Sequence, residues 1–215
     1  MTRSSPGRRG TLIAATTMSA VIIAGWLITA SAALRAAETS LDVTLMAHAP
    51  RAAIAAATLV QTALDPVGAA VVNALVAAVV LIARGRRTAS RYLAVSVTCW
   101  WSAELVKLLV QRPRPLLSGT ATGPTTWSYP SGHTAIAAGI VLGLAAVFHL
   151  RSDRRVRVGP RVAWGVLGCC FVLAVGLSRL VLGVHYASDV IASMVWCAAV
   201  AVIVTRAAES VLRAR

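Results

Sequence analysis

The chain has 215 residues, of which 58% are apolar and only 13% charged, and its mean hydropathy is +0.75. A soluble domain is usually about 45–50% apolar and about 25% charged, so a water-soluble globule is excluded. The net charge of +14 would suit a nucleic-acid partner, but the arginines stand in short clusters between apolar runs and leave no basic soluble domain to bind one.

Arg3, Arg8 and Arg9 precede the first apolar run, Leu12 to Leu34, which is read as a membrane span. Its basic start and the triplet Ala30-Ser31-Ala32 also have the layout of a cleaved signal peptide, but the run is longer than the usual apolar region of such peptides. His48 and Arg51 belong to the outer surface beyond it. Residues 52–64 are apolar yet too short to cross a bilayer; they form a helix lying on or dipping into the outer membrane face. Asp65-Pro66 breaks that helix from the second span. Five further runs are long enough to span: Val67–Ala83, Tyr92–Gln111, Thr134–Leu150, Val162–Leu182 and Ala187–Thr205. Between the third and fourth spans, Pro113–Gly132 is rich in Pro, Gly, Ser and Thr and reads as a loop.

Arginine clusters follow the even-numbered spans: Arg84, Arg86, Arg87 and Arg91, then Arg151, Arg154, Arg155, Arg157 and Arg161, then Arg206, Arg213 and Arg215. With the N-terminal arginines they fall on one side, and cytoplasmic loops are the ones enriched in Lys and Arg. The sequence therefore predicts an all-α bundle of six transmembrane helices, one domain over residues 1–215, integral to the cytoplasmic membrane with both termini cytoplasmic. Cys99, Cys169, Cys170 and Cys197 lie inside apolar runs without zinc-site spacing and read as small helix residues. Trp100 and Trp101 read as packing residues, Trp127 and Tyr129 as anchors at the outer interface, and Gly139 with Gly143 as a close helix contact. His149 sits at the cytoplasmic interface.

Ionisable residues are rare in membrane segments without a functional reason. Here they form three clusters: Lys107 to Arg114-Pro115, Tyr129-Pro130-Ser131-Gly132-His133, and Ser178-Arg179 with His185 and Asp189. All three fall at outward-facing span ends. Lys107, Arg114 and Arg179 together call for an anion, arginine matching phosphate oxygens with its fork and lysine with a point charge. The backbone N–H groups of Ser131 and Gly132 lie near the start of the fourth span, and helix N-termini bind anions. His185 and Asp189, four apart, share a helical face; the carboxylate can fix the imidazole tautomer and free the other nitrogen to attack phosphorus. His133 is the second histidine, placed to protonate a leaving oxygen. Glu104, three residues from Lys107, pairs with it. Arg112 either joins the anion site or is aimed elsewhere by Pro113.

These three clusters resemble the signature of the type-2 phosphatidic acid phosphatase (lipid phosphate phosphatase) superfamily: Lys, six residues, Arg-Pro; Pro-Ser-Gly-His; Ser-Arg, five residues, His, three residues, Asp. Every position is matched between residues 107 and 189, and a three-part match is far more specific than one short motif. The resemblance implies His185 as nucleophile, His133 as general acid and Asp189 as partner of His185. It implies Lys107, Arg114, Ser131, Gly132 and Arg179 as phosphate ligands, and neither a metal nor another cofactor. The expected substrates are lipid phosphates or diphosphates: undecaprenyl or another polyprenyl diphosphate, phosphatidic acid, or phosphatidylglycerol phosphate. An outward-facing site places polyprenyl diphosphate first. Two rivals are a vanadate-dependent haloperoxidase, disfavoured by the spans, and an anionic-lipid-binding or transport protein, which would have no need of both histidines and Asp189.

Overall fold

The computed structural model describes residues 6–115, 127–149 and 158–213. Among these it contains eight helices: α1 (Pro6–Ala30), α2 (Ala32–His48), α3 (Arg51–Ala63), α4 (Pro66–Arg84), α5 (Arg86–Val110), α6 (Gly132–His149), α7 (Val158–Val181) and α8 (Ala187–Arg213). The tip of the expected loop, residues 116–126, and the basic cluster from Arg151 to Arg157 lie outside the described residues.

Five helices, α1, α4, α5, α7 and α8, are long and apolar enough to cross a membrane. Their large apolar side chains point outward: Ile82, Val79, Leu75, Leu105 and Leu167 are each more than 60% exposed. That inversion suits a hydrocarbon solvent, where backbone groups must be satisfied internally and helices do so. The sixth expected span, α6, is the shorter apolar helix Gly132–Phe148. α5, α7 and α8 pack around it, and residues 134–140 are all buried. Small residues permit this crowding. A Cβ on Gly139 would lie 2.8 Å from the Ser96 carbonyl oxygen of α5, and one on Gly143 would lie 2.9 Å from the Tyr92 ring, so the small-residue pair read from the sequence is the α5–α6 contact.

Polar staples hold the other helices to α5. Trp26 Nε1 donates to the Leu109 carbonyl at 2.9 Å, Tyr92 Oη to Asn73 Oδ1 at 3.0 Å, and Trp196 Nε1 to Ser102 Oγ at 2.8 Å. Cys99 and Cys197 are buried where α5 meets α8, whereas Cys169 and Cys170 are exposed. Trp100 packs on the core, but Trp101 is 60% exposed on the outer surface of α5. Tyr129 departs from the expected interfacial anchor. It is 1% exposed, and its hydroxyl donates to the Val21 carbonyl of α1 at 2.6 Å.

The main departure lies between the first two spans. The first run breaks at Ser31, whose side chain accepts from the Leu34 N–H and caps a second helix, α2, which the sequence reading missed. α2 meets α3 at a bend of 116°, and the Asp65 side chain, accepting from Gly68 N–H at 2.7 Å ahead of Pro66, starts α4. The expected short helix 52–64 is thus α3, and the bent pair α2–α3 covers one end of the bundle, against the starts of α6 and α8. At the opposite end α1 and α8 meet, since Gly10 of α1 lies against Arg206 of α8. Arg84 of α4 there stacks over Phe148 of α6, 5.7 Å from the ring centroid. The described arginine clusters therefore share one end of the bundle.

Candidate active site

The three clusters come together at the end covered by α2 and α3. Lys107 sits in the last turn of α5, which stops at Gln111 in the left-handed region (φ 52), and Arg112 and Arg114 follow in extended chain. Ser131, Gly132 and His133 open α6. Arg179 lies in the last turn of α7, a turn through Gly183 (φ 58) brings up His185, and Asp189 lies in the first turn of α8.

His185 is 2% exposed and Asp189 fully buried. His185 Nδ1 lies 3.3 Å from Asp189 Oδ2, which also accepts from the Tyr186 N–H at 3.0 Å. A carboxylate accepts, so Nδ1 carries the hydrogen. On the far side of the ring Arg114 Nη1 lies 3.1 Å from Nε2. A guanidinium only donates, so Nε2 presents its lone pair. The two contacts select the same tautomer. Burial first, and then the positive charges of Arg114, Lys107 and Arg179, push the His185 pKa well below 6.5 and keep the ring neutral at pH 7.

The cations surround that nitrogen. Lys107 Nζ is held by both Glu104 oxygens, at 2.7 and 2.9 Å, which is the pairing expected for Glu104. Gly132 lies directly against this pair: a Cβ there would fall 2.6 Å from Glu104 Oε1 and 2.9 Å from Lys107 Nζ. Arg114 Nη1 also donates to the Val184 carbonyl at 2.9 Å. Arg179 is 1% exposed, and its Nε has no hydrogen-bond partner among the described residues. That buried donor is what an incoming anion would satisfy.

Ser131 is engaged differently from the expected anion donor. Its N–H donates to the Asp189 carbonyl at 3.2 Å, and its own carbonyl accepts from Ser193 Oγ at 2.9 Å. In this state the backbone of Ser131 ties the start of α6 to α8.

Sequence reasoning missed several residues that touch this site. Gln61 of α3 closes over it: His133 Nε2 donates to the Gln61 carbonyl at 3.1 Å, and Arg179 Nη2 donates to Gln61 Oε1 at 3.2 Å. Arg112, for which the sequence allowed two roles, turns away from Arg114. Its Nη1 donates to Asp189 Oδ1 at 2.6 Å and to Ser188 Oγ at 2.7 Å, and its Nη2 to Glu38 Oε2 of α2 at 2.7 Å. A signal for Glu38 existed, because the chain has only 7 Asp and Glu, and two of them, Glu38 and Asp42, stand four apart in the same stretch. His48, by contrast, is exposed and turns back to the Thr44 carbonyl at 2.8 Å.

Comparison with known proteins bears on this geometry. The sequence profile of the PAP2 superfamily matches residues 88–212. The crystal structure of a transmembrane PAP2-type phosphatidylglycerolphosphate phosphatase from Bacillus subtilis has the same fold, with a TM-score of 0.76 at 18% sequence identity, covering 94% of this chain and 98% of that one. No curated protein sequence matches significantly.

Proposed function

The chain belongs to the PAP2 superfamily, and from that premise we propose that it is a membrane phosphatase acting on lipid phosphates or diphosphates through a phosphohistidine at His185. One observation carries the reading: a buried, neutral imidazole whose Nε2 lone pair faces Arg114 while Asp189 holds its other nitrogen. Lys107, Arg114 and Arg179, with the N-terminus of α6 at Gly132, are the phosphate cradle. They supply the positive charge that stabilises the equatorial oxygens in the transition state.

Nε2 attacks phosphorus as the bond from phosphorus to the leaving oxygen breaks. His133, as the imidazolium, gives its second proton to the leaving oxygen and is left as the neutral ring whose Nε2–H the Gln61 carbonyl holds. The phosphohistidine bears a positive imidazolium, balanced by Asp189. A water then gives a proton to His133 and attacks phosphorus, the phosphorus–nitrogen bond breaks, and inorganic phosphate leaves. No metal ion enters these steps. All 215 residues act as one domain, with α2–α3 as the cover of the site.

The site lies at the end of the bundle opposite the described arginine clusters, around Arg84 and Arg206, and arginine-rich ends are cytoplasmic. We therefore place it at the extracytoplasmic face of the cytoplasmic membrane. Polyprenyl diphosphate ranks first among substrates on that ground. The Bacillus subtilis neighbour, a phosphatidylglycerolphosphate phosphatase, supports keeping phosphatidylglycerol phosphate in the expected set beside phosphatidic acid. The test is phosphate release by purified protein in detergent with EDTA, wild type beside His185→Ala. Release by the wild type alone supports the reading. Binding of these lipids without release by either protein would replace it with anionic-lipid binding or transport.

A further inference from the structure

Behind the nucleophile lies a buried ion cluster to which the phosphohistidine steps assign no role. Arg112 is 1% exposed, and its guanidinium bridges two carboxylates: Asp189 Oδ1 at 2.6 Å and Glu38 Oε2 at 2.7 Å. Its Cζ stacks 4.0 Å from the Tyr186 ring centroid. Glu38 is itself fixed, since its Oε1 accepts from the Ser188 N–H at 2.8 Å at the start of α8. Asp42, one turn along α2, is fully buried beside this group.

The Asp189 carboxylate must point Oδ2 at His185 Nδ1, and that contact is long, at 3.3 Å. Arg112 holds the opposite oxygen at 2.6 Å, so it fixes the rotation of the carboxylate and balances its charge. Arginine's planar fork serves two carboxylates and stacks on a ring face at once; a lysine ammonium has three donors but no such plane. Glu38 lies on α2, outside the family match over 88–212, so the N-terminal part of the chain joins the machinery through this link.

Building on the phosphohistidine reading, we propose that Arg112, clamped by Glu38, is a positioning residue that aims Asp189 at the nucleophile and takes no part in binding the substrate phosphate.

The experiment is steady-state phosphate release from phosphatidic acid, with inorganic phosphate as inhibitor, for wild type, Arg112→Ala, Arg112→Lys, Glu38→Gln, Asp189→Asn and the Arg112→Ala/Asp189→Asn double variant. Arg112→Ala should lower kcat by about 100-fold, the upper range for partners that orient a catalytic group. KM and phosphate inhibition should stay within about threefold, because the cradle is untouched. Arg112→Lys should recover part of the rate. In the Asp189→Asn background, Arg112→Ala should cost less than about threefold, measured above the His185→Ala background, because residues acting through one another are not additive. A raised KM at unchanged kcat would make Arg112 a phosphate ligand and overturn the proposal, as would full additivity with Asp189→Asn. Should Arg112→Ala fail to fold, wild-type kcat in both Arg112→Lys and Glu38→Gln would overturn it equally. A wild type that turns over neither phosphatidic acid nor the other lipid phosphates would remove the phosphatase reading and this inference with it.

Discussion

Asp189→Asn exchanges one oxygen for an NH2 group at nearly constant volume, in a side chain with no exposure. Two amide orientations are available. In one, Nδ2 replaces Oδ2 and faces the Tyr186 N–H at 3.0 Å and His185 Nδ1 at 3.3 Å. In the other, Nδ2 replaces Oδ1 and faces the Arg112 guanidinium at 2.6 Å. Each sets a donor against a donor. In the first, the clash with His185 ends when the ring moves its hydrogen to Nε2 and accepts at Nδ1, which removes the nucleophilic lone pair, while the clash with the Tyr186 N–H persists. The second keeps the tautomer but loses the negative charge that balances the phosphohistidine. Loss of the orienting carboxylate costs about 10⁴-fold in kcat in a serine protease triad. A loss of about 10³–10⁴-fold is expected here, or about 4–5.5 kcal/mol at about 1.36 kcal/mol per decade. The cradle cations do not hydrogen-bond the Asp189 carboxylate oxygens, so inhibition by inorganic phosphate should change by less than about threefold. The assay is phosphate release at saturating lipid, with phosphate inhibition measured in parallel. An Asp189→Asn protein with kcat within tenfold of wild type would refute the tautomer argument.

Gln61 Oε1 accepts from Arg179 Nη2, so under the proposed function it would compete with phosphate for that side chain. Gln61→Ala should tighten phosphate inhibition a few-fold, within the roughly 1.5–3 kcal/mol of a hydrogen bond to a charged group, and Gln61→Glu should weaken it more than tenfold; weaker binding in the alanine variant would count against this. Gly132→Ala places a Cβ 2.6 Å from Glu104 Oε1 and 2.9 Å from Lys107 Nζ, so the pair must shift out of the cradle, and KM should rise by about tenfold or more while the apparent Tm moves little; an unchanged KM would separate Lys107 from the substrate. Asp42 is pushed up to about 7 by burial, then by Glu38 and Asp189, with Arg112 opposing. The folded protein thus holds a proton that the unfolded chain releases near pH 4, and stability falls as pH rises from about 4 to 7, by at most about 4 kcal/mol at about 1.36 kcal/mol per unit. Asp42→Asn should therefore raise the apparent Tm relative to wild type more at pH 8 than at pH 5, and an equal difference at both pH values would contradict the assignment.

Much of this molecule is written in local pattern. An apolar run near 20 residues can satisfy its backbone in lipid only as a helix, so α1, α4, α5, α7 and α8 were legible without coordinates, and α6 nearly so. The clusters around Lys107, His133 and His185 were equally legible, because ionisable residues at span ends are too costly to be incidental. The structure gathers every one of them at one end of the bundle.

What stayed hidden depends on distance between segments that are far apart in sequence. α2 carries no signal as a span, since Glu38 and Asp42 interrupt its apolar character, and its Glu38 is held by one ion pair and one backbone hydrogen bond from residues 74 and 150 positions away. Tyr129 reads as an interfacial aromatic until Val21 supplies a buried acceptor. Gln61 has no motif at all; it matters because the bend between α2 and α3 lays α3 across the cations. Arg112 and Arg114 differ by two positions, and in an extended chain either could have faced the site. By itself the sequence determined the helices, the basic end and the chemical groups of the site, because each is set by side-chain solubility and charge along a short stretch. Only the tertiary structure decided which arginine meets which carboxylate, because that depends on how the folded segments face one another across the end of the bundle.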